Sequence, residues 1–227
     1  MQTMDKIKTL PNGSKLNKNL RLLIIINTVI TFTVGMFAPF YAVFVAHIGG
    51  GAALAGISWA VFSIVSGVLI LALSKWELKV KRRHVLLATG YLIRAVVFLS
   101  YAFMDNIPQL LITQVLWGVA SAVGTPAFDA LYTSHTSAES AIVEWGDWEG
   151  IAAIATGVAA LVGGFLIQII GFKILFLFMS VIAAGLGSYI LRERYLIKKA
   201  ELKKEVLKTE KAQIKKELEK NLPSKSS

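Results

Sequence analysis

The sequence predicts an all-α polytopic membrane protein of six transmembrane helices followed by a charged helical tail. Three observations predict it. Hydrophobic residues fill 55% of the 227 positions and charged residues 17%, below the roughly 25% typical of soluble domains. The charge is segregated: of the 24 Lys and Arg, five lie in residues 1–21, five in 75–83 and twelve in 192–227, leaving Arg94 and Lys173. Between these clusters run nearly uncharged apolar blocks, roughly 20–46, 53–74, 85–104, 109–133, 148–170 and 172–192. Each reaches the length of about 20 residues that a spanning helix needs.

The elements follow in order. A basic segment (1–19) precedes the first block, and no small-residue cleavage site follows it, so the block reads as a retained helix and not as a leader. Gly49-Gly50-Gly51 supplies a turn into the second block. The stretch ALSKWELKVKRRHVLLATG (72–90) joins the second block to the third. Asp105-Asn106-Ile107-Pro108 ends the third and opens the fourth, because proline is tolerated in a first helical turn. EWGDWEG (144–150) leads into the fifth block, its two Trp suiting a membrane interface. Gly171 divides the fifth from the sixth. In the tail, Leu196, Ala200, Leu207, Ile214 and Leu218 recur at helical spacing among Lys and Glu, with favourable Glu–Lys pairs. The chain thus divides into a basic N-terminal segment (1–19), a six-helix membrane domain (20–193) and a basic helical tail (194–227).

Lys and Arg gather on the cytoplasmic side of membrane proteins, whereas acidic residues weigh little. The N-terminal segment, the 75–84 loop and the tail are basic; the turns at 47–52 and 105–108 are not. Six helices with both termini in the cytoplasm, in the cell membrane, satisfy this alternation. Residues 135–149 then form an acidic cytoplasmic loop facing the basic one.

The net charge of +10 does not point to nucleic acid, since the cations sit at the ends of apolar spans and not along one soluble face. Without cysteine there are no disulfides, thiolate metal sites or Cys nucleophiles. No HExxH or GxSxG motif is present, and His47, His84 and His135 lie near helix ends. The chain is therefore not expected to be an enzyme, nor to hold a cofactor or metal.

ISWAVFSIVSGVLI (57–70) aligns with IATGVAALVGGFLI (154–167) at Ile57/Ile154, Val61/Val158, Val65/Val162, Gly67/Gly164, Leu69/Leu166 and Ile70/Ile167. VGMFAPF (34–40) likewise resembles VGTPAFD (123–129). These matches predict two inverted three-helix repeats, a design common in secondary transporters.

The chain resembles one six-helix half of the major facilitator superfamily. KRRHVLL (81–87) is similar to the end of that family's signature between helices 2 and 3; Leu78 and Lys81 replace its acid and second glycine, and Glu77 is the nearest acid. QVLWGVASAVGTPAFDALY (114–132) and GGFLIQIIGFKILFLF (163–178) also look like the family. The resemblance implies a transporter of a small solute by alternating access. It implies a second six-helix half, supplied by a second copy or a separate chain. It also implies a cavity along helices 1 and 4, making Asn27, Thr31 and Gln114 cavity candidates beside Arg94, an intramembrane cation. Glu77, Lys79, Arg82, Arg83, Asp129, Glu144, Asp147 and Glu149 are gating candidates, the acids of 144–149 latching onto the basic loop and Asp129 pairing with Arg94 or that loop. Small residues on helix 2 (Gly56, Ser63, Gly67) and helix 5 (Gly157, Ala160, Gly164) form the expected face toward the other half. A scaffold or regulator keeping the fold without transport is the alternative.

Overall fold

The computed structural model describes residues 18–77, 79–80, 82–136 and 138–221, with side chains between 20 and 193. The basic segment 1–17, Leu78, Lys81 and the side chains of the tail lie outside the described residues. The elements are α1 (Lys18–Gly35), a 3-10 turn (Ala38–Phe40), α2 (Tyr41–His47), α3 (Ala52–Glu77), α4 (Arg83–Ala102), α5 (Ile107–Thr133) and α6 (Ala141–Asn221). No strand occurs among the described residues. Among the described residues, five helical segments are long and apolar enough to cross a membrane: Leu20–His47, Ala52–Glu77, Arg83–Ala102, Ile107–Thr133 and Ala141–Glu193.

Local chemistry sets the boundaries. The first block is broken where the sequence suggested one helix: the backbone turns at Met36 and Phe37 and re-forms as a 3-10 turn containing Pro39. Proline has no N–H to continue the ladder. α5 begins with a reciprocal cap, in which Asn106 Oδ1 accepts from the Gln109 amide at 3.0 Å and Gln109 Oε1 accepts from the Asp105 amide at 2.9 Å. Asn106 thereby satisfies an amide of the first turn that the helix leaves unpaired, and Gln109 secures the residue before the cap. Pro126 sits inside α5 without ending it. The acidic EWGDWEG segment is helical and not a loop, since α6 starts at Ala141. Glu144 lies in its first turn, where a carboxylate is favoured against the positive end of the helix dipole. Gly171, expected to separate two blocks, is the non-helical point inside α6, with φ 74° and ψ 170°. That conformation is open to glycine and strained for other residues.

The helices meet through small residues. A Cβ on Gly90 of α4 would lie 2.7 Å from Gly124 Cα of α5. One on Gly118 of α5 would lie 2.8 Å from Val65 of α3, and one on Gly35 of α1 would lie 3.0 Å from Ala159 of α6. A Cβ on Gly163 would overlap the Met36 carbonyl. Beyond Gly171, α6 returns to α4, where Ser180 Oγ donates to the Ala95 carbonyl at 2.8 Å. Lipid tails are as apolar as the helices, so close van der Waals packing and such hydrogen bonds hold the bundle together. α4 packs against α5 and α6. In contrast, 17% of the most apolar window of α3 and 22% of that of α6 are buried, against 50% for α4 and for α5.

Aromatic clusters close both ends. At one, Phe37, Phe44, Tyr101 and Phe176 interlock with centroids 4.7–5.7 Å apart. At the other, Trp145 packs on Tyr132 at 4.6 Å and Trp148 on Phe128 at 5.1 Å.

Candidate functional site

Three polar groups interrupt the apolar bundle. The first joins α1 to α4: the Tyr91 hydroxyl donates to Asn27 Oδ1 at 2.7 Å. One turn along α4, the Arg94 guanidinium carbon lies 5.7 Å from the centre of the Tyr91 ring. Arg94 is about 16 Å along α4 from Arg83, near the middle of a hydrocarbon core about 30 Å thick. Its Nε is enclosed without a hydrogen-bond partner. The side chain has no ion-pair partner among the described residues. Thr31, one turn beyond Asn27 on α1, is also partly buried.

The second group centres on Gln114, 0% exposed. Its Nε2 donates to the Tyr101 hydroxyl at 2.9 Å and to the Tyr41 hydroxyl. Tyr41 lies 2.6 Å from Ser58 Oγ, and Ser58 spends its own proton on the Leu54 carbonyl at 2.7 Å. Only one direction satisfies the whole chain: Gln114 donates to Tyr41, Tyr41 to Ser58, and Ser58 to the α3 backbone. Gln114 therefore ties α2, α3, α4 and α5 together through its Nε2, while its Oε1 is buried without a partner.

The third group is a stripe on α5. Ser121, Thr125 and Asp129 recur every fourth residue, with Thr125 and Asp129 exposed; Ser121 Oγ and Thr125 Oγ1 are 3.5 Å apart. Asp129 does not pair with Arg94. It lies instead within electrostatic range of Glu149 on α6.

The loop between α3 and α4 borders a cleft lined by Ser74, Glu77, Arg83, Leu86, Pro126, Ala127 and Ala130. Glu77 is buried there with Oε1 unpartnered, while Lys79 and Arg82 are exposed. The anticipated latch is not formed: no ion pair joins Lys79, Arg82 or Arg83 to Glu144, Asp147 or Glu149 among the described residues. Glu144 is turned inward at 6% exposure, where Oε1 accepts from Ser140 Oγ at 3.0 Å and its backbone carbonyl accepts from the Tyr132 hydroxyl. Asp147 and Glu149 face outward.

On the small-residue face, Gly56, Gly67 and Gly157 have nothing within 4 Å of a Cβ position. Ser63 is exposed and Ala160 partly so. Gly164 belongs elsewhere: a Cβ there would lie 2.9 Å from the Phe40 ring, so this glycine packs inside the chain. Tyr41, Tyr91, Tyr101, Ser121 and Thr125 join these polar groups in the structure without a motif to mark them. Tyrosines embedded in apolar blocks need hydrogen-bond partners when buried, which was the available signal for the first three.

The sequence matches the family model described as Major Facilitator Superfamily over residues 23–222. The chain belongs to the major facilitator superfamily. It is similar to a Bacillus subtilis (strain 168) protein described as an uncharacterized MFS-type transporter, YitZ, with 24% identity over 151 residues, 66% of this chain and 92% of that protein. No solved structure matches it. This superfamily member is a multi-pass membrane protein of a transporter family, not an enzyme.

Proposed function

We propose that the chain is a six-helix half-transporter that moves a small solute across the cell membrane by alternating access, as a homodimer or with a separate second half. The observation that carries this reading is the open small-residue face of α3 and the first part of α6. Gly56, Gly67 and Gly157 are bare, amid exposed Ile57, Trp59, Ile64, Ile154 and Leu161. Small residues let helices approach closely in lipid, and among the described residues nothing lies within 4 Å of a Cβ at these three glycines.

Counting six spans rests on length. The 53 residues of Ala141–Glu193 would extend about 80 Å as one helix, far beyond the hydrocarbon core of about 30 Å, and Gly171 divides them. The inverted repeat draws support from reciprocal packing. α1 meets the first part of α6 through Gly35 and Ala159, as α5 meets α3 through Gly118 and Phe62. Phe62 and Ala159 are equivalent in the repeat alignment. Gly35 was matched with Gly124, however, and Gly124 packs on α4. Both termini are assigned to the cytoplasm by the positive-inside pattern, which also makes the tail beyond residue 193 a cytoplasmic helix.

The test is cysteine crosslinking in native membranes, in a chain with no cysteine of its own. S63C and G157C are expected to give a strong dimer band, and L99C, exposed on α4, none. If all three stay monomeric while a partner chain co-purifies, the separate-half form holds. A lone monomer that moves no solute in proteoliposomes would sink the transporter reading in favour of a scaffold or regulator, which the sparse charge in the spans also fits.

A further inference from the structure

Resting on the transporter reading, we propose that the solute is a small oxyanion, of carboxylate or phosphate type, and that Arg94 is its counter-charge. The starting point is an imbalance. A cation near the bilayer midplane is unfavourable and is ordinarily paired or turned toward water. Arg94 has the face of Tyr91 at 5.7 Å, a partial compensation, and Nε enclosed without an acceptor. Asp129, the acid expected to neutralise it, is exposed on α5 beside Glu149.

A second copy of the chain does not supply the missing charge. Arg94 lies on α4 against the ring of Tyr91, whose hydroxyl bonds Asn27 of α1. The face left open for a partner is on α3 and the first part of α6. A charge that enters and leaves with a diffusing solute fits the site better. The neighbouring groups are suited to it. Tyr91, whose ring lies 5.7 Å from the guanidinium fork of Arg94, occupies Asn27 Oδ1, a bond that leaves the two N–H donors of Asn27 unused. That fork matches the two oxygens of a carboxylate or phosphate, which an ammonium does not.

The full chain in nanodiscs would be unfolded thermally, read by tryptophan fluorescence, with acetate, succinate, inorganic phosphate or neutral succinamide at constant ionic strength. At least one oxyanion is expected to raise the midpoint by several degrees, because a ligand that binds the native state stabilises it. Succinamide should not. R94Q should abolish the rise, and R94K should weaken it at least tenfold in apparent affinity. An equal response of wild type and R94Q to every probe overturns the proposal. Without ligand, R94Q should unfold at or above the wild-type midpoint, because it removes an uncompensated charge. A clear fall would reveal a protein partner for Arg94 and also overturn it. Counterflow of the labelled anion in proteoliposomes separates the two readings. Arg94-dependent binding without counterflow refutes transport and leaves the site; counterflow unchanged in R94Q refutes the site and leaves transport.

Discussion

Gln114 shows what one polar residue does in a lipid-soluble core. Its amide reaches two tyrosines on different helices, and the chain continues through Ser58 to backbone. Interhelical hydrogen bonds in membrane proteins average about 0.6 kcal/mol and reach about 1.7. Gln114 makes two and leaves both tyrosines without a donor when lost. Q114L should therefore lower stability by about 1–2 kcal/mol, seen as a lower unfolding midpoint in nanodiscs. Oxyanion binding by the surviving folded fraction should be unchanged, since Arg94 is not in this network. An unaltered midpoint would mean the hydroxyls find other partners. Y91F differs, because it releases Asn27 and should weaken oxyanion binding.

At the scale of elements, glycines divide into those that seat one helix on another and those that face outward. A side chain on Gly90 would strike the Gly124 backbone, which cannot rotate away. Overpacking of this kind costs about 1–3 kcal/mol and occasionally more, so G90L should be among the most damaging single changes. G67L enters open space and should leave the monomer's midpoint unchanged while weakening S63C crosslinking. Equal damage from both would mean the α4–α5 seam is misassigned. Two element boundaries were legible because each has a local cause, Asn106 as cap and Gly171 at positive φ; the break before Pro39, inside one apolar block, was not. Nor were the faces. In a soluble helix the apolar side marks the core, but here Ile64 at 64% exposure and Leu71 at 79% are as apolar as the buried Leu87. Hydrophobic periodicity therefore carries no inside–outside signal. This is why Gly164 was assigned to the outer face, and why Arg94 was offered Asp129. The partners Asn27 and Tyr91, 64 residues apart, are brought together only because α1 and α4 both pack against α6.

At the scale of the whole molecule, Gly171 decides how many times the chain crosses. If it turns the backbone between two spans, Lys173 and Asp105 share one side with Gly49. They meet in one cleft, lined by His47, Asp105, Phe172 and Lys173, with Lys173 Nζ 5.0 Å from the Phe103 ring. Lys79 and Ser134 then lie on the opposite, cytoplasmic side, where the basic loop holds them. Single cysteines at these four positions convert the argument into a labelling pattern. An impermeant maleimide added to intact cells should modify D105C and K173C and spare K79C and S134C until the membrane is opened. Labelling of K79C in intact cells would invert the orientation. If K173C resisted labelling on both sides while D105C reacted, Lys173 would be within the bilayer, the fifth and sixth spans would not be separate crossings, and the half-transporter architecture would fail with them.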